Sequence, residues 1–284
     1  MGKRDNNYFL NLLKSMRIYR SLIPLSFIIL VVGFANQLSK EIIILCISCV
    51  LLYVSGGVFN AKIDKDFKIK YVNIFLFLIF ITTLILSFSN IIIFAAVLSW
   101  IFLNIIYSKY SRFVLFGDTI ILGFTHVMIP ILSASLLLNL DYTVTIKLAS
   151  FMFFSMILIM PIKNIKGIDE DKKRGYKTFL TTYRKGKQIT IVLMFMYFTS
   201  LFMAYYVFDL GNKFLLLSIF FIPLYMVMHM CMIKKMETLS YKCSRLLVLF
   251  FLFAIVFDQT SRVDFVALSA FPILVYLPHL LTKN

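Results

Sequence analysis

The chain is expected to form an all-α, polytopic transmembrane helical bundle of nine or ten spans. Composition is the first reason. Of 284 residues, 61% are hydrophobic and only 15% are charged, whereas a soluble domain is about half apolar and a quarter charged. The second reason is segmentation, because the apolar residues gather into runs near the roughly 20 residues that cross a hydrocarbon core. The third is the arrangement of charge. All but four of the 29 Lys and Arg residues fall in the termini and alternate connections, and the exceptions are Lys40, Lys147, Lys213 and Arg262.

In order, the segments are 21–38, 42–59, 71–89, 91–107, 113–138, 148–162, 190–208, 214–233, 246–257 and 265–281. The last two could be one full span and one shorter or tilted one. Basic residues cluster before the first segment (Lys3, Arg4, Lys14, Arg17, Arg20), between the second and third (Lys62 to Lys70), and between the sixth and seventh (Lys163 to Lys187). The positive-inside rule then puts the N-terminus and the long basic loops in the cytoplasm of a bacterial or archaeal cell. The basic, polar N-terminus has no small-residue cleavage site, so no removable signal is expected. Asn6 excludes the myristoylation pattern suggested by Gly2.

The net charge of +16 would suggest nucleic acid in a soluble protein. In a membrane protein it is first a topology signal and then an attraction to anionic lipid or a phosphorylated ligand, so nucleic acid is not expected as a partner. Cys46 and Cys49 lack a second pair or nearby histidines and are taken as packing residues. No linker or low-complexity tract divides residues 1–284, which therefore form one membrane domain.

Two polar loops follow inward-running helices. In the first, Asn60, Asp64 and Lys68 recur every four residues and share a face if the helix continues. Asn and Asp supply the hard oxygens that Mg²⁺ takes beside substrate phosphates. Gly56 and Gly57, one turn earlier, permit close approach of a neighbour. The second loop places Asn164, Asp169, Glu170 and Asp171 among Lys163, Lys172, Lys173, Arg174 and Lys177. Metal-holding acids interleaved with cations are what a diphosphate requires. Either loop alone reads as solvated charge obeying the topology rule; two on one face, at corresponding places in two halves, favour a site. His126 in an apolar span is either a functional group or a hydrogen-bonded structural one. Asp118, after Gly117, reads as a helix cap.

These motifs, in order, resemble the UbiA-type intramembrane prenyltransferases. MRIYRSLIPLSFIILVVGF resembles the family's opening helix, and FNAKIDKDF its first Asp-rich motif, N-D-x-x-D-x-x-x-D. NIIYSKYSRFVLFGDTIILGF resembles the region with a Tyr-Ser pair, a basic residue and a Gly-Asn or Gly-Asp. KNIKGIDEDKKRGYKTFLTTYRKGK resembles the second motif and its G-x-x-T. The resemblance implies a bundle around a central cavity, usually of nine spans. It also implies Mg²⁺, an isoprenoid diphosphate and a small-molecule acceptor attacking an allylic cation among membrane lipid.

By that resemblance, Asp64 and Asp171 are the catalytic acids, with Asn60, Asn164 and Asp169 joining them as metal ligands. Lys109, Lys163, Arg174, Lys177 and Tyr107 hold the diphosphate, and Arg17 lines the acceptor pocket. The pattern is eroded, because Ala61, Lys68, Asn164 and Gly167 stand where the family has acids. The resemblance therefore leaves three readings: Mg²⁺-dependent prenyl transfer, terpene cyclisation on the same fold, and non-catalytic binding or transport of an isoprenoid lipid.

Overall fold

The computed structural model describes residues 8–63 and 71–281, so Asp64, Asp66 and Lys68 of the first polar loop lie outside the described residues. The chain enters through α1 (Tyr8–Met16), a 3₁₀ turn (Ile18–Arg20) and α2 (Leu22–Ala35), followed by α3 (Lys40–Ile63), α4 (Val72–Ser87) and α5 (Ile91–Lys109). One interrupted helix comes next, as α6 (Gly117–Gly123), a π-turn (Phe124–Met128) and α7 (Ile129–Leu137). Beyond α8 (Tyr142–Ile159), the Met160–Gly167 3₁₀ segment leads to two short helices, α9 (Ile168–Lys173) and α10 (Phe179–Thr182). The remainder is α11 (Gly186–Val207), α12 (Asn212–Ser218), α13 (Phe221–Ile233), α14 (Glu237–Gln259) and α15 (Val263–Leu281).

Among the described residues, 9 helical stretches are long and apolar enough to cross a membrane, and α4 is shorter at 16 residues. At 1.5 Å per residue α4 covers about 24 Å. It still joins opposite ends of the bundle, because the last turns of α3 and α5 both border one cavity through Asn60 and Tyr107. The chain must return to the far end between them. The ten segments expected from the sequence are therefore present, with the third as the short one.

The most enclosed helices are α14 and the α1–α2 stretch, whose apolar windows are 72% and 67% buried. Their contact is close: a Cβ on Gly33 would stand 3.1 Å from Val256 of α14. Trp100, Tyr197, Phe27 and Phe251 fill the interior, while Phe77, Phe102, Phe154 and Leu216 are exposed on the perimeter, as expected where lipid is the solvent. Helix starts at the end away from the cavity are capped. Asn90 accepts from Ile92 N at 2.8 Å, Asp141 accepts from Thr143 N at 2.8 Å, and Asp258 accepts from Gly211 N at 2.7 Å and Phe214 N at 3.0 Å. Each satisfies amides that a helix start otherwise leaves unpaired in a medium without water.

Gly57 shows why a small residue is required in α3. A Cβ there would come within 2.7 Å of the Ser15 carbonyl oxygen and 2.9 Å of that of Met16. The entry helix α1 thus closes directly over α3. All four cysteines are free, and Cys49 is fully buried.

Candidate active site

A cavity of about 450 Å³ lies at one end of the bundle, within the ordinary size range of ligand pockets. Its border comes from alternate helix ends: Arg17 and Arg20 before α2, Asn60 closing α3, Tyr107 closing α5, Asp118 opening α6, Lys163 and Asn164 after α8, Lys242 and Arg245 opening α14, and His279 near the end of α15. Antiparallel connection brings these termini together, so residues scattered over the chain meet at one level.

The best-defined polar group is built on Asp118. Asp118 is the second residue of α6 and borders the cavity, so it is not the residue that caps this helix start. Instead Lys163 Nζ stands 2.9 Å from Asp118 Oδ2, and Asn164 Nδ2 donates to the same oxygen at 2.9 Å. The Lys163 and Asp118 side chains are 14% and 6% exposed, so the pair is held where water screens it little. Lys163 Nζ also lies 3.4 Å from the Tyr107 hydroxyl and 5.2 Å from the centre of its ring. An intramembrane cation thereby gains two fixed neighbours, Asp118 and Tyr107.

A tight turn shapes the second loop. Tyr176 N donates to Asp171 O at 2.9 Å and Gly175 N to Lys172 O at 3.1 Å, the paired bonds that end a helix on a left-handed residue. Gly175 supplies that residue, with φ +71°. The turn leaves Asp171, Arg174 and Tyr176 on the cavity border. By contrast, Asp169, Lys109 and Lys177 are exposed and do not contribute to the lining. Asp169 and Lys109 each sit two positions from a lining residue, Asp171 and Tyr107. Two helical steps of about 100° turn them to the opposite face.

Of the residues singled out from the sequence, the structure brings Arg17, Asn60, Tyr107, Lys163, Asn164, Asp171 and Arg174 together. His126 and Asp118, read from the sequence as a functional or structural group and as a cap, also border the cavity, and the structure adds Arg20, Tyr53, Asn104, Lys242 and Arg245. A signal for several of these was present, since ionisable residues inside or at the edge of apolar spans are functional candidates by default. Arg245 is 8% exposed, with its guanidinium over the rings of Tyr241 at 4.7 Å and Tyr19 at 5.3 Å. Its Nη1 and the Nε of Arg20 are buried with no hydrogen-bond partner.

Along the described border, Arg17, Arg20, Lys163, Arg174, Lys242 and Arg245 face only two acids, Asp118 and Asp171. No group of three His, Cys, Asp or Glu residues able to cage a metal occurs among the described residues. The donors still fit Mg²⁺ shared with a phosphate, which needs only one or two carboxylates from the protein. Asp171 and the buried Asn60 offer such oxygens to one cavity.

Comparison with known proteins bears on the fold and the family. The model of the UbiA prenyltransferase family matches residues 69–255. No curated protein sequence matches the chain. Among solved structures, an apo UbiA homologue from Aeropyrum pernix K1 superposes with a TM-score of 0.68 at 11% identity, over 86% of this chain and 99% of that one. A structure of digeranylgeranylglyceryl phosphate synthase gives 0.61 at 15%, over 89% and 98%. A UbiA homologue from Archaeoglobus fulgidus bound to DMAPP and Mg²⁺ gives 0.58 at 13%, over 95% and 100%. At such identities the structures speak for the fold, and the family match spans well over half of the sequence. This integral membrane chain belongs to the UbiA prenyltransferase family.

Proposed function

We propose that the protein transfers a prenyl group from an isoprenoid diphosphate to a small-molecule acceptor within the membrane, with Mg²⁺ as cofactor and residues 1–284 acting as one domain. The observation that carries this reading is the single cavity on which Asn60, Lys163, Asp171 and Arg174 converge. The basic end of the bundle faces the cytoplasm by the positive-inside rule.

Asp171 and Asn60 are the described residues that would hold Mg²⁺, with Asp64 as the candidate outside them. The bound ion would offset diphosphate charge. Lys163, kept in one position by Asp118 and Tyr107, donates to a diphosphate oxygen, and Arg174 adds a second cation. As the allylic C–O bond breaks, its electron pair leaves with the diphosphate. Charge grows on the oxygens that these groups already address, which is where fixed donors lower a barrier most. Ile23, Met156, Ile159 and Val248 border the same cavity and keep water from the carbocation until the acceptor attacks it.

The test is diphosphate release by purified protein in nanodiscs, with C10, C15 and C20 prenyl diphosphates, with and without EDTA, and with a panel of aromatic acceptors. Mg²⁺-dependent release that rises with an acceptor and is lost in Asp171→Ala supports the reading. Release unchanged by that substitution overturns the assignment of Asp171. The excess of cations over acids supports one further reading, that of an isoprenoid-diphosphate binder or transporter. Tight donor binding indifferent to EDTA, without any release, would select it.

A further inference from the structure

The α6–α7 span is interrupted at its middle. Residues Phe124–Met128 form a π-turn, with Ile129 N donating to Phe124 O. Pro130, four residues after His126, has no amide hydrogen and cannot return the α-helical bond to the His126 carbonyl. Two backbone carbonyls of this span receive side-chain contacts. Trp100 Nε1 donates to Thr125 O at 2.8 Å. The Leu122 carbonyl lies 3.1 Å from His126 Nδ1 and 3.4 Å from Thr125 Oγ1. Such π-turns cluster at functional sites because they re-aim one side chain; here that side chain is His126, which borders the cavity.

We assign the ring's polarity from the Leu122 contact. The Leu122 carbonyl can only accept, so Nδ1 carries the proton of a neutral imidazole and Nε2 is left as an acceptor. Tyr53 OH at 3.0 Å and Thr125 Oγ1 at 3.2 Å also address Nδ1, and the Tyr53 ring meets the imidazole edge to face, with centroids 5.0 Å apart. Every polar contact of the ring is therefore on the Nδ1 side. Nε2 has no partner among the described residues, yet it is not among the polar atoms sealed from solvent. Three contacts hold Nδ1, and the ring borders the cavity.

We infer that His126 is a specificity-determining residue that reads a neutral hydroxyl on the prenyl acceptor through Nε2. A lone acceptor nitrogen needs a donor, and the six cations along the described border repel a positively charged donor such as an ammonium. An uncharged O–H, phenolic or alcoholic, is the group that fits. The inference rests on the prenyl-transfer reading for what the occupant becomes, but not for how it is recognised.

The test therefore uses neither donor nor Mg²⁺. Diethyl pyrocarbonate carbethoxylates unprotonated, unpaired imidazole nitrogens, and the chain has three histidines that peptide mass mapping resolves. Purified protein is treated alone, with phenol, and with anisole, a probe of similar shape that lacks the donor. We expect His126 to be modified, and phenol to slow that modification about tenfold more than anisole does, the discrimination one buried neutral hydrogen bond supplies. His279, also on the border, should show no such preference. An unreactive His126 in protein whose His279 reacts overturns the inference, as does equal protection by the two probes. Because no turnover is read, a negative result here leaves the diphosphate-release experiment standing, and the converse also holds.

Discussion

The cavity brings together two kinds of buried cation. Lys163 is fully engaged, with Asp118, Asn164 and Tyr107 forming one network around it. Arg245, on helix α14, has aromatic faces for neighbours and no carboxylate partner among the described residues, and one of its nitrogens is orphaned there. The first arrangement completes itself within the protein. The second leaves a buried guanidinium without a counter-ion among the described residues, which is costly in a membrane. On the proposed function, the first cation would serve the folded state as well as a diphosphate, and the second would serve the diphosphate alone.

Substitutions should separate the two. Asp118→Leu carries the largest expected effect, since it removes the counter-ion and leaves Lys163 charged and buried. A broken buried pair costs about 3–5 kcal/mol, read as a lower unfolding midpoint in detergent together with lost diphosphate release. If the midpoint is unchanged, the pair is not the anchor described here. Lys163→Met in the Asp118→Leu background should recover part of that stability without recovering activity, because two apolar groups replace the pair.

Smaller is the stability change expected for Arg245→Met. Loss of cation–π contact, about 1–2 kcal/mol, is set against relief of an unpaired buried charge, so the unfolding midpoint should stay near that of the parent. Anion affinity should nonetheless fall, measured as weaker protection by inorganic diphosphate against thermal unfolding. A midpoint as low as that of Asp118→Leu would erase the contrast between the two cations. The smallest effect should come from Asp258→Ala at the opposite end, which deletes bonds to Gly211 N and Phe214 N. It should cost about 1 kcal/mol of stability, as for other helix caps, and leave diphosphate release unchanged.

Much of this was legible in the sequence, but unevenly. The apolar runs predicted all ten segments, and charge alternation grouped the connections that the cavity unites. Asn60 and the start of the basic stretch, Lys163 and Asn164, border the cavity, while Asp64 and Lys68, the residues expected on the face of Asn60, lie outside the described residues. Asp118 read as a cap because Gly-Asp before an apolar run suits a helix start. Its true partners lie 45 and 46 positions away, and no local pattern encodes them. Lys109 and Asp169 had the right chemistry two residues from lining positions, and helical phase turned both outward. Arg245 and Lys242 passed as ordinary positive-inside charges, since sequence cannot distinguish a solvated lysine at a helix end from one facing a cavity.

The sequence by itself determined that this chain spans a membrane, where its apolar helices fall, and which termini carry polar chemistry. Those properties follow from hydrophobicity, length and charge, which add along the chain. Only the tertiary structure decided which polar residues meet, that Asp118 neutralises Lys163, and that a π-turn aims His126 into the cavity. Those outcomes depend on helix rotation and on contacts between distant segments, where a single step of about 100° separates a residue that lines a site from one that faces lipid.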